Sequence, residues 1–291
     1  MLPACGRRTY TTDISLAGSM VSEARALMIP RTSRKGDTHA FFYGPRHTDY
    51  EGELGTLPPC LVHVHGGPNG CSTPILDLAV QFWTSRGYAV CDVNYAGSTG
   101  YGRRYREELT RFWGMYDIQD VHDVAKYLVA HGLVDGSRLG LYGGSAGGYA
   151  TLIAIYMDPS LFAAAISSYG ICESRALQSN SYKFESHDAE RLVLSSCEAT
   201  DTVGRASLLR ERSPYFHVQN IRTPLLILQG LDDVVVLPEQ SRLIAEEMRR
   251  LGRTVKLVEF AGEEHGWLGG ETILQAYIEQ EAWWKKYLCS D

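Results

Sequence analysis

Short apolar runs alternate with helical patterns along most of this chain. CLVHV (60–64) reads as a buried strand, and residues 74–86 as a helix stopped by Gly87. AVCDVNY (89–95) predicts a second strand. The clearest helix covers 117–131. Its residues Ile118, Val121, Val124, Ala125, Leu128 and Val129 share one face, with Asp117 placed to cap the start and Gly132 to end it. RLGLY (138–142) predicts a strand, 146–157 a helix, and AAAISSY (163–169) a strand again. PLLILQG (224–230), a helix over 239–251, TVKLVEF (254–260) and a closing helix over 271–288 repeat the alternation.

Such alternation predicts a mostly parallel sheet with helices on both faces. Residues 171–222 break the rhythm. They are polar and rich in Ser, Glu and Arg, and an insertion between two core strands is a candidate lid or substrate wall. Residues 1–54 hold a few extended stretches, such as HAFFYG (39–44), and read as an N-terminal segment packing on a catalytic domain over 55–291. With 44% apolar residues in 291, a sizeable core is expected.

GLYGGSAGGYATL (140–152) adds chemistry to this frame. Gly143-Gly144-Ser145-Ala146-Gly147 fits G-x-S-x-G between a predicted strand and a predicted helix, the setting of a nucleophile elbow and of the α/β-hydrolase fold. A phosphate loop would need a lysine after its glycines, and none follows. Serine needs a base, and the base an orienting carboxylate, in the chain order Ser, Asp or Glu, His. The last two predicted strands each end on a candidate: Leu231-Asp232-Asp233 after the first, and AGEEHGW with His265 after the second. Position singles out His265 among nine histidines. Asp232 and Asp233 are not separable by physics alone, because neighbouring side chains point in different directions.

VHVHGGPNG (62–70) follows the first core strand. Glycines there let backbone N–H groups approach a developing oxyanion, with the Ala146 N–H as second donor. His63 and His65 sit two apart and could suggest a metal, but no second ligand cluster is visible, so no metal is expected.

With these residues in place the chain resembles the prolyl oligopeptidase family, on its acylaminoacyl-peptidase and dipeptidyl-peptidase-like side. The matching segments are VHVHGGP (62–68), residues 83–106, GLYGGSAGGYATL (140–152), KFES (183–186), ERSPYFHV (211–218), LILQGLDDVVV (226–236) and GEEHGW (262–267). They fall in family order within residues 30–288. The resemblance implies Ser145 as nucleophile, His265 as base and Asp233, counted from Gly230, as the carboxylate. It implies Gly67 and Ala146 as oxyanion donors, and it makes Tyr95 and Gly66 candidate substrate contacts, Tyr95 reading equally well as a core or wall aromatic. Family peptidases usually carry an N-terminal β-propeller, and no propeller is expected within these 291 residues.

The expected function is a serine hydrolase cleaving an amide or ester of a short peptide or small molecule through an acyl-enzyme, with no cofactor. Two alternatives stay open. One is a small-molecule hydrolase acting as esterase, lactonase or cyclisation catalyst, and the other a non-catalytic binding protein on the same frame. A net charge of −6 argues against nucleic-acid binding. No apolar run has the length of a membrane span. Seven widely spaced cysteines, with no C-x-x-C pair, suggest reduced thiols and a cytoplasmic protein. The family often associates, so a homo-oligomer is compatible with the resemblance.

Overall fold

The strand–helix alternation folds into one sheet. A computed structural model describes residues 18–173, 188–194 and 200–289. Its strands are β1 (Arg25–Pro30), β2 (Asp37–Tyr43), β3 (Cys60–Val64), β4 (Ala89–Asn94), β5 (Leu139–Gly144), β6 (Ala164–Ser168), β7 (Leu225–Gly230) and β8 (Val255–Phe260). Their order is β1-β2-β4-β3-β5-β6-β7-β8. The first two strands join antiparallel, and all pairings from β4 to β8 are parallel.

The described helices are α1 (Leu78–Thr84), α2 (Gly102–Glu107), α3 (Tyr116–Ala130), α4 (Ala146–Met157), α5 (Asp188–Leu192), α6 (Thr202–Glu211), α7 (Pro238–Arg250) and α8 (Gly270–Leu288). None is long and apolar enough to cross a membrane.

Alternate strand residues feed two separate cores, as the period of two requires. Val62, Val64, Leu139, Leu141 and Ile227 pack against α3, α4 and α7. Leu61, Ile166, Leu226 and Leu228 pack on the opposite face against Val80 and Trp83 of α1 and Trp283 and Trp284 of α8. Helix α4 is apolar all round, and its residues Ala146 to Ile155 are all buried, as a helix in the middle of a core must be.

Two expectations change. Helix α1 starts only at Leu78, because the Asp77 side chain accepts the Ala79 N–H and so caps it there. Asp117 does not cap α3. The cap position is Met115, and Asp117 lies in the first turn, fully buried. Much of the expected lid, including KFES, falls on 174–187 and 195–199, outside the described residues. The described remainder of that insertion supplies α5, α6 and a 3₁₀ turn over Pro214–Asn220.

The β1–β2 hairpin is tied to α3 by charge. Asp120, fully buried, receives Arg31 Nε at 3.1 Å, Arg34 Nη2 at 2.6 Å and the Ala96 N–H at 2.7 Å. Arg31 Nη1 also reaches Glu108 at 2.7 Å, and Thr32 donates from backbone and hydroxyl to Asp123. Removing one partner of such a group strands an uncompensated buried charge, which typically costs about 3–5 kcal/mol. Asp120→Ala is expected to lose stability on that scale in denaturant unfolding, whereas Arg103→Ala, an exposed residue of α2, changes it by less than about 1 kcal/mol.

Candidate active site

The turn from β5 into α4 is too tight for side chains on its flanks. A Cβ at Gly143 would stand 2.6 Å from the Val64 carbonyl oxygen, and one at Gly147 2.0 Å from the same atom. Ser145 sits between them at φ 56°, ψ −119°, a region rarely adopted by non-glycine residues. Its N–H is held by the Ser168 carbonyl at 3.0 Å. Ala146 opens α4, so its N–H has no acceptor within the helix.

Three loops at the carboxyl ends of the parallel strands meet this serine. His265, after β8, places Nε2 2.9 Å from Ser145 Oγ and Nδ1 2.8 Å from Asp233 Oδ2. The carboxylate can only accept, so Nδ1 carries the proton and Nε2 is left to accept from the serine hydroxyl. Asp233, after β7, has a fully buried side chain. Its Oδ1 accepts from the Val235 and Val236 amides, each at 2.8 Å, and Gln229 Nε2 donates to Oδ2 at 3.3 Å. Asp232 is exposed, with its own N–H bonded to the Glu263 carbonyl. The ring of Tyr169, another residue at positive φ, packs 4.8 Å from the His265 ring. Glu263 braces the histidine loop by accepting from the Leu268 and Gly269 amides at 2.7 and 3.0 Å.

The third loop, after β3, carries Gly66 and Gly67. A Cβ at Gly66 would stand 3.7 Å from Ser145 Cβ, which places this stretch of backbone beside the serine. Tyr95 is 1% exposed, which leaves it almost no surface to offer a substrate. Its hydroxyl instead donates to the carbonyls of His65 and Pro68, at 3.1 and 2.9 Å, on either side of the two glycines. His65 stacks on the Tyr95 ring at 4.3 Å, donates from Nδ1 to the Gly66 carbonyl and accepts from the Ser98 hydroxyl at 2.7 Å. Burial pushes His65 down to about 4, so this wedge is neutral near pH 7.

His63 turns to Asp92, 2.8 Å away, so the two histidines face separate partners. Among the described residues no group of three His, Cys, Asp or Glu is arranged to hold a metal ion.

Sequence comparison decides the kinship. The family model described as prolyl oligopeptidase family matches residues 74–291. The chain belongs to the prolyl oligopeptidase family. A similar solved structure is a puromycin-hydrolyzing peptidase of Mycobacterium tuberculosis, at 36% identity and a TM-score of 0.88, covering 95% of this chain and 41% of that one. This likeness makes the fold that of an α/β-hydrolase. Dipeptidyl aminopeptidase BIII of Pseudoxanthomonas mexicana is 31% identical over 224 residues, 76% of this chain and 32% of that protein. Acylamino-acid-releasing enzyme 1 of Oryza sativa subsp. japonica is 26% identical over 236 residues, 79% of this chain and 30% of that protein. The chain thus spans less than a third of the length of these curated relatives.

Sequence reasoning passed over Gln229, Tyr169 and Glu263 in this prolyl oligopeptidase family member. Only Gln229 carried a signal, as a polar residue inside the apolar run of β7. Asp117 is a different kind of omission. It is fully buried, and among the described residues neither carboxyl oxygen has a side-chain partner. Burial raises it from 3.8 to about 7, and the Asp120 charge adds to the rise while the amides of Gly114, Asp117 and Ile118 oppose it. The native state therefore keeps a proton that the unfolded chain releases above about pH 4. The contribution of Asp117 to stability should be greatest below 3.8 and fall as pH rises to about 7. Unfolding of wild type and Asp117→Asn, compared across this range, should show the variant gaining relative stability with rising pH and levelling off above it. A difference independent of pH would exclude the linkage.

Proposed function

We propose that this chain is a serine peptidase domain of the prolyl oligopeptidase type, cleaving amide or ester bonds of short acyl-peptides. The observation that carries the reading is the unbroken hydrogen-bonded line from Ser145 Oγ through His265 to Asp233. Ser145 attacks the carbonyl while His265 Nε2 takes its proton. Asp233 holds the imidazole in the required tautomer and stabilises its charged form. The Gly67 and Ala146 N–H groups receive the oxyanion, the first on the loop beside Ser145 and the second at the start of α4. His265 then protonates the leaving group, and water attacks the acyl-enzyme along the same path in reverse. No step calls for a cofactor.

Similar proteins named for hydrolysing puromycin and for releasing acylamino acids support an amide substrate. The five cysteines among the described residues are all free, which suits a reducing, cytoplasmic setting.

A fluorophosphonate probe should label Ser145, and labelling should vanish in Ser145→Ala. On puromycin and acyl-aminoacyl anilides, Ser145→Ala should lose about 10⁶-fold in kcat and Asp233→Asn about 10⁴-fold. Equal labelling of His265→Ala would remove the base assignment.

Tyr95 enters this mechanism as a positioning residue. Its hydroxyl fixes the two carbonyls that flank the glycine donors. Tyr95→Phe should lower kcat about tenfold with KM little changed, the loss expected of one neutral hydrogen bond that matters mainly in the transition state. Affinity for a peptide boronate should fall in parallel. A change in KM alone would assign Tyr95 to ground-state binding instead.

A further inference from the structure

Beside the oxyanion loop opens a groove of about 760 Å³, lined by Asn69, Arg106, Glu107, Thr110, Arg111 and Arg191. Three guanidinium groups share this space on a chain whose net charge is −6. Its one acid, Glu107, is exposed and leans towards Arg103, 3.8 Å away and outside the groove. Among the described residues neither Arg106 nor Arg111 forms an ion pair.

The fold holds these cations together rather than letting them spread. The Arg111 N–H donates to the Arg191 carbonyl, and the Trp113 N–H to the Leu192 carbonyl, both at 3.3 Å, so two segments are laced side by side with arginines at their crossing. Arg111 takes φ 73° to do so. Among the described residues only Arg111, Ser145 and Tyr169 are non-glycine residues at positive φ; Ser145 belongs to the triad and Tyr169 packs on His265. Such strain costs about 1–3 kcal/mol and gathers at functional positions. The Arg106 and Arg111 side chains are exposed there, open to pairing with a ligand carboxylate.

The groove is also anchored to the catalytic loop. Arg191 Nη2 donates to Asn69 Oδ1 at 2.7 Å, and Asn69 Nδ2 donates to the Gly97 carbonyl at 2.7 Å. Asn69 follows Gly66, which lies against Ser145, by a stretch of chain that reaches at most about 11 Å. An extended peptide covers that distance in about three residues.

We propose that this arginine groove binds a carboxylate of the peptide substrate, carried about two to three residues from the bond that Ser145 attacks. Planar guanidinium forks match a carboxylate in two parallel hydrogen bonds, which a neutral amide cannot reproduce. The site would select acidic or free-acid peptides over their amides. This rests on the serine-peptidase reading, and its test is kept separate from turnover.

The test uses the full chain carrying Ser145→Ala and fluorescein-labelled pentapeptides, with affinity read by anisotropy. One pair differs only in a C-terminal carboxylate or carboxamide. A second pair, amidated in both members, differs in Glu or Gln at the third or fourth residue. An acid should bind about tenfold more tightly than its neutral partner at low salt, and the margin should close at about 0.5 M salt. A preference in the first pair assigns a terminal carboxylate, and one in the second an acidic side chain. In Arg111→Gln and Arg106→Gln, checked for unchanged Tm, the acid-to-amide ratio should fall about fivefold. Equal affinities within both pairs, no binding of any peptide, or a ratio untouched by either substitution would each overturn the proposal. Fluorophosphonate labelling of the wild-type chain, run alongside, reads the peptidase assignment by itself. Charge preference without labelling would keep the groove and discard the peptidase, and labelling without charge preference would do the reverse.

Discussion

The close passage of the β5–α4 turn over the end of β3 sets the terms for everything at the carboxyl edge of the sheet. Backbone runs against backbone there, with the Val64 carbonyl in the space where side chains at 143 and 147 would begin. That contact forces Ser145 into an unusual conformation and lifts its hydroxyl clear of the sheet. It also brings the loop after β3 beside Ser145, because β3 and β5 are paired neighbours in the sheet. The Ser145 turn and the loop after β3 are therefore one packing solution.

Hydrogen bonds to backbone, more than contacts between side chains, hold the surrounding loops. Asp233 is oriented by two amides, the histidine loop by the Glu263 carboxylate, and the glycine strap by the Tyr95 hydroxyl. Each buried polar group there closes a loop whose carbonyls or amides would otherwise lack partners. The result is a rigid setting made from irregular backbone, which suits groups that must stay within proton-transfer distance.

Two neighbouring carboxylates on α3 show how differently burial can be handled. Asp120 meets two arginines and an amide, and fastens the N-terminal hairpin to the helix. One turn earlier, Asp117 meets no cation among the described residues, and burial drives it towards its protonated form. The arginine groove is the surface counterpart: backbone pairing brings Arg111 beside Arg191, where a substrate carboxylate is proposed to bind.

What was legible in the sequence was local or periodic. The parallel strands and their helices followed from apolar spacing, and the turn around Ser145 followed from glycine spacing, since both are decided within about ten residues. His265 was legible because strand order carries a loop to a known edge of the sheet. Residue physics alone did not separate Asp232 from Asp233, because side-chain direction in a turn depends on the amides of the next loop, and only the resemblance pointed to Asp233. The contact of Asp233 with the imidazole is a tertiary fact. So are the strand character of 25–30, which rests on pairing with β2, the failure of Asp117 as a cap, and the turning of Tyr95 inward to the glycine strap. Each depends on atoms far away in the chain, and no composition or period encodes which distant partner a polar group will meet.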